Sequence, residues 1–240
     1  MTAAPSPALG RVHRRRLREI WRSAGWPCRD DVEVELLVAG ALERVWDTDG
    51  RETLRVTDAG VALLAQTRAS NRAARDAHEA LVERVAREQQ RAGRLAWRGL
   101  TLRAPLPGED GATRWVMAMP DVFSIRHTTV EDDVEPVVHE VKVRRADLLA
   151  DLRRPDKGAA YRALAGQCWY VLKTGIAHAD EVPADYGVML AAVRDDGGFG
   201  ALEVARPAPS RACRLPFAAW MTLARCGALP PDEDPAQRGL

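Results

Sequence analysis

Cysteine is sparse and scattered in this chain: Cys28, Cys168, Cys213 and Cys226, none in a Cys-x-x-Cys pair or at Cys/His ligand spacing. That pattern argues against a structural zinc site and a disulfide framework, and fits reduced thiols. Net charge is also lacking. At +1 overall, with 29% of residues charged, the chain has no global electrostatic signature, so any nucleic-acid surface has to be a local patch of arginine. No run approaches the ~20 apolar residues of a membrane helix, and the N-terminus carries no apolar signal core. These absences predict a cytoplasmic protein with no membrane partner. What the chain does have is 240 residues, 46% of them hydrophobic, enough for one full domain and a smaller one.

Residues 1–10, "MTAAPSPALG", and 228–240 read as disordered. Between them the chain divides in two. In residues 11–67, "RVHRRRLREIWRSAG" has helical spacing at Val12, Leu17, Ile20 and Trp21 and stops at Gly25. "RDDVEVELLVAG" is a second helix, acidic at its start and stopped by Gly40. "ALERVW" and "ETLRV" flank the turn "DTDG", and Thr57 N-caps a helix opening with "TDAGVALLAQ". Helix, helix, hairpin, helix resembles a small winged-helix module, with "VTDAGVALL" like the start of its closing helix. Such a module implies DNA binding. Yet the helix that would enter a groove carries Asp30, Asp31, Glu33 and Glu35, a face that phosphates repel. The basic cluster, including Arg14, Arg15 and Arg16, lies on the first helix, placed for backbone phosphates or simply for solvent. Docking of a protein partner suits this module as well as base readout does.

Residues 70–205 open with Ser70 as a cap and a helix whose Ala74, Ala77, Leu81, Val82, Val85 and Ala86 share one side. "RLAWRGLTLRA" and "TRWVMAMPDVFSI" are strands, "EPVVHEVKV" is a third, two helical pieces separated at Pro155 follow, and "QCWYVLK" returns as a strand. "DYGVMLAAV" and "GALEV" add edge strands, and residues 206–227 hold a linker and a C-terminal helix. Trp97, Trp115, Trp169 and Trp220 are expected in the core. The order helix, three strands, helix, strand predicts an α/β domain with a mixed sheet, preceded by the small α+β module.

The third strand poses the functional question. By alternation Val137, His139, Val141 and Val143 face the core, leaving Glu140 and Lys142 side by side on the other face. Half-buried charges are costly unless partnered, and a divalent cation would partner the acid. A second carboxylate stands upstream: if the strands pair antiparallel, Asp121 in "MPDVF" converges with Glu140 at one edge of the sheet. Two hard oxygens and an ammonium suit Mg²⁺ or Mn²⁺ and a scissile phosphate.

"MPDVF", followed 19 residues after Asp121 by "EVK", resembles the PD-(D/E)xK (restriction-endonuclease-like) nuclease superfamily. "HEVKVRRADLLAD", "DKGAAYRALAGQCWYVLKTG" and "VPADYGVML" look like its bacterial MmcB-type DNA-repair group, over roughly residues 70–195. The resemblance implies a metal-dependent DNA nuclease in which Asp121 and Glu140 hold the metal and Lys142 is catalytic. Many members add a first-helix glutamate; Glu79 and Glu83 are the candidates, and Glu79, at the border of the apolar face, is preferred. Gln167 stands where MmcB-type chains tend to have aspartate, and is a possible DNA contact with Lys157 and Arg162. Asp147 and Asp151, four apart on the helix after the motif, are placed to flank the active site, but read more simply as a solvated face paired with Arg144, Arg145 and Arg154. His139 reads as a hydrogen-bonded core histidine. The alternatives are a DNA-binding protein on a nuclease scaffold that does not cut, and a winged-helix regulator. No dimer face stands out.

Overall fold

A computed structural model describes residues 8–23, 25–108 and 111–230; most of the two end segments read as disordered, 1–7 and 231–240, lies outside the described residues. The chain forms two compact units that meet between Ala73 and Ala74.

The first unit comprises α1 (Arg11–Arg22), α2 (Asp31–Val38), the antiparallel hairpin β1 (Leu42–Trp46) and β2 (Glu52–Val56), and the first turns of α3 (Asp58–Arg91). Asp30 caps α2 by accepting from the Glu33 backbone N–H at 2.9 Å. Thr57 caps α3, its hydroxyl accepting from Gly60 N–H (3.2 Å) and donating to the Gly40 carbonyl (2.6 Å). The "TDAG" signature has a steric reason: a Cβ on Gly60 would stand 2.3 Å from the Ala41 carbonyl oxygen. Leu17, Ile20, Leu36, Ala41, Leu42 and Leu54 form the core. It is too small to take the whole apolar stripe of α1, so Val12 and Trp21 are exposed. Glu33 is also not on a solvent face. It is buried, and its carboxylate accepts from the backbone N–H groups of Cys28 (2.6 Å) and Arg29 (3.0 Å).

The second unit takes in the rest of α3, which is one continuous helix. Ser70 therefore lies inside it rather than capping it, because no glycine or proline interrupts residues 61–92. The two expected long strands each break once. "RLAWRGLTLRA" becomes β3 (Arg94–Arg98) and β4 (Leu102–Pro107), turning at Gly99 with φ +59°; "TRWVMAMPDVFSI" becomes β5 (Thr113–Ala118) and β6 (Val122–Arg126), parting at Met119–Asp121. The outer halves pair as a separate two-stranded sheet, β4–β5, and the inner halves join the main sheet. Trp115 on β5 is consequently exposed rather than core, lying under the Arg103 guanidinium.

The main sheet adds β7 (Val137–Lys142), β8 (Gln167–Lys173), β9 (Gly187–Val193) and β10 (Phe199–Arg206) in the order β10-β9-β8-β7-β6-β3. β6–β7 is antiparallel and β7–β8 parallel, the crossover being α4 (Arg145–Leu152) and α5 (Pro155–Leu164), so the α/β class and mixed sheet stand. Leu81, Val82, Val85 and Ala86 of α3 cover one face over Val122, Val141 and Val171. On the other, Val138, Phe123, Tyr170 and Leu172 pack with Leu148, Tyr161, Leu164 and, from α6 (Phe217–Arg225), Ala219 and Leu223. Both faces of β7 are therefore interior, and every residue of the strand is buried. Glu140 and Lys142 are not on an open face but inside a helix-covered one. No helix among the described residues is long and apolar enough to cross a membrane.

Candidate active site

The site forms where the long hairpin breaks. β6–β7 pairing ends at Val122↔His139, so the Val141 N–H lies beyond the ladder. Asp121, in the bend just before β6, takes that donor: its Oδ2 accepts from Val141 N–H at 2.7 Å, while its own carbonyl accepts from Gly99 N–H at 3.1 Å. Val141 stands between Glu140 and Lys142, so this bond ties Asp121 to the backbone of the antiparallel strand that carries them. Burial opposes ionisation of Asp121, but hydrogen bonds from His78 and the Val141 N–H, with the positive charges of His78 and Lys142, outweigh it and hold the carboxyl below its usual range.

Glu140 is 4% exposed and has protein partners on both oxygens. Oε1 receives the Lys142 ammonium and, at 2.5 Å, that of Lys157 from α5; Oε2 lies 2.8 Å from the Tyr161 hydroxyl. The Tyr161 hydroxyl also lies 2.9 Å from the Met119 carbonyl, a second acceptor for its single proton. Burial, reinforced by the Glu140 charge, raises the Tyr161 pKa and keeps the phenol protonated. Asp151 completes the group: Oδ1 is 2.6 Å from Lys157 Nζ, while Oδ2 is 3.6 Å from Lys142 Nζ and accepts from the Tyr170 hydroxyl at 3.0 Å. Two carboxylates and two ammoniums thus alternate around a buried ring closed by two phenols. Desolvation works against the Lys142 charge, but Glu140 and Asp151 raise its pKa above the ordinary value.

One expectation needs correction, and the other candidate residues take the following places. Asp151 is not on a solvated face: it is 8% exposed, one turn from the fully buried Leu148. Lys157 is engaged with Glu140 and Asp151 rather than presented to solvent. Arg162 donates to the Tyr186 hydroxyl at 3.1 Å. Gln167 pairs with Val137 at the opposite end of β7 from Lys142, a separation of five residues or about 16 Å along a strand. Its side chain accepts from Trp169 Nε1, so it is not part of this group. Arg16 is half-buried and holds Asp30 at 2.7 Å, Arg15 pairs with Glu19, and only Arg14 of the three is exposed without an ion pair among the described residues.

Neither first-helix glutamate contacts Asp121 or Glu140. Glu83 is held by Arg87 (2.7 Å) and Arg98, and Glu79 is largely exposed. The α3 residue at the site is His78, whose Nε2 is 3.4 Å from Asp121 Oδ2; that contact raises its pKa despite desolvation. Its sequence signal was position alone, one residue before the favoured glutamate. His139 is buried, but its Nδ1 has no hydrogen-bond partner among the described residues, and desolvation lowers its pKa to about 3, so it is neutral. His78, Glu79, Arg98, Thr101, Asp121 and Arg225 line a cavity of ≈ 740 Å³, which gives Asp121 an approach from outside.

The donor chemistry around Asp121 and Glu140 suits a hard divalent ion, since both are carboxylates and Glu140 occupies a place that already gathers two cationic groups. Among the described residues no three His, Cys, Asp or Glu side chains are grouped as a ready metal set, and an ion at Glu140 Oε1 would compete with the Lys142 and Lys157 ammoniums there. Set against family models, curated proteins and solved structures, the chain matches none of them.

Proposed function

We propose that this protein is a metal-dependent phosphodiesterase acting on DNA, with a restriction-endonuclease-like core of the PD-(D/E)xK type related to the MmcB-type repair group. The observation that supports the reading is the hydrogen bond from the Val141 N–H to Asp121, which ties that acid to the backbone between Glu140 and Lys142, themselves an ion pair. Asp121 and Glu140 would hold Mg²⁺ or Mn²⁺, which when bound stabilises the charge that develops on the attacked phosphate. Lys142, kept cationic by its two acidic neighbours, serves as a positive donor to a phosphate oxygen rather than as a base. Tyr161 positions Glu140 through its hydroxyl, 2.8 Å from Oε2. Arg225 on the cavity wall supplies charge for a flanking phosphate, which supports DNA as the polyanion entering there.

The second reading, DNA binding on the same scaffold without cleavage, is favoured by the completeness of the Glu140–Lys142–Asp151–Lys157 ring. Calorimetric titration with Mn²⁺ tests the metal site. Saturable binding that Asp121→Ala and Glu140→Gln each abolish supports it, whereas equal binding by both variants, or none by the wild type, counts against it.

A further inference from the structure

A groove of ≈ 330 Å³ in the first unit lies between α1 and the opening turns of α3. Val61 and Leu64 line its apolar part, Arg18, Arg22 and Arg68 line it with charge, and Trp21, 55% exposed, stands among them. The volume is at the low end of small-ligand sites, enough for one planar ring system and not for a folded element. Arg18 and Arg22 also continue a longer row. Arg11, Arg14, Arg18 and Arg22 follow at steps of three or four residues, so they share one side of α1 over about 16 Å. Other arginines of this helix are neutralised, Arg15 by Glu19 and Arg16 by Glu19 and Asp30. Among the described residues, Arg11, Arg14, Arg18, Arg22 and Arg68 have no acidic partner.

We infer that this groove binds single-stranded nucleic acid, one base stacking on Trp21 while the backbone runs along the arginine row of α1. An indole beside guanidiniums accepts any base, because every base has a π-face and every nucleotide brings a phosphate. A duplex keeps its bases stacked on one another and offers the groove nothing flat. An acidic peptide would fill one pocket but needs an unbroken run of acids to match a row with a cation at each turn of the helix. The groove belongs to the first unit and uses no residue of the Asp121–Glu140 site, so the inference stands whether or not the second unit cleaves DNA.

The test is fluorescence anisotropy on the full chain in EDTA, with labelled oligothymidylate of about 12 nucleotides, a duplex of equal length and polyglutamate as probes. Oligothymidylate is expected to bind best, and Trp21→Ala to weaken it by about tenfold. Trp21→Phe retains most of the affinity, and Arg18→Ala, Arg22→Ala and Arg68→Ala each make binding less salt-dependent, the slope falling by about 0.7 for each phosphate that is no longer neutralised. The inference is overturned if Trp21→Ala binds like wild type or if no oligonucleotide binds. It is also overturned if the duplex binds more tightly than the single strand, or if polyglutamate displaces oligothymidylate with the same dependence on Trp21, which would make the groove a protein-docking site.

Discussion

Asp121 accepts a 2.7 Å hydrogen bond from the backbone N–H of Val141, so the acid in the bend before β6 is fixed to the residue that separates Glu140 from Lys142 on β7. The same bond serves the fold, since it satisfies a donor that the β6–β7 ladder does not reach. Structure and proposed chemistry thus make different demands on one side chain.

Those demands separate by substitution. Asp121→Asn keeps an acceptor for Val141 and loses the charge; Asp121→Ala loses both and leaves a buried N–H unpaired. Alanine is expected to be less stable than asparagine by about 1–3 kcal/mol in urea unfolding, while both abolish Mn²⁺ binding. Equal stability of the two variants would show that the Val141 contact does not hold the bend.

Lys157 competes with any cation for Glu140 Oε1. Lys157→Met should therefore tighten Mn²⁺ binding several-fold in calorimetry, because one ammonium no longer has to leave the carboxylate. Unchanged or weaker binding would mean that the ion does not use that oxygen.

Asp151 balances two ammoniums inside the protein. Its removal in Asp151→Ala leaves them short of countercharge and the Tyr170 hydroxyl without its acceptor, an expected loss of about 3–5 kcal/mol in chemical unfolding. A solvated-face aspartate would cost within ~0.5 kcal/mol, and a result of that size would refute the ring.

In the first unit, the Arg16 guanidinium and the Glu33 N–H lower the Asp30 pKa. With the folded value depressed, Asp30 contributes stability above its unfolded pKa of about 3.9, and that contribution disappears as pH falls through the lower folded value. Between about pH 5 and about pH 2 wild type should lose more stability than Asp30→Asn, which still caps α2 but has no charge to lose. Parallel urea midpoints for the two proteins would remove Asp30 as a source of acid sensitivity.

The order of elements along the second unit and its mixed sheet were legible because strand and helix periodicities are strong in "VVHEVKV" and "HEALVERV" and the crossover carries its own proline stop at Pro155. Glu140 and Lys142 stood out for the same reason, as charges in an apolar strand, and Asp121 through the antiparallel pairing expected of its segment. The rest depended on what stands across the sheet. Periodicity along α4 and α5 does not say that Asp151 and Lys157 turn toward Glu140, nor that Tyr161 bridges to Met119, since those contacts come from crossover geometry. His78 was overshadowed by the neighbouring glutamate because a helical wheel places a residue only to within a fraction of a turn. The single long α3 was misread at Ser70 because a capping residue type is a weak signal where no breaker follows it.

The most direct measurement is cleavage of supercoiled plasmid by the purified full chain, with and without Mg²⁺ or Mn²⁺, comparing wild type with Lys142→Ala and Glu140→Gln variants that retain the wild-type circular dichroism spectrum. The account predicts nicking or linearisation only with the divalent ion, reduced by about 10²-fold or more in each variant. Cleavage that survives both substitutions, or its absence from the wild type with either metal on supercoiled, nicked, mismatched and single-stranded DNA, would contradict it.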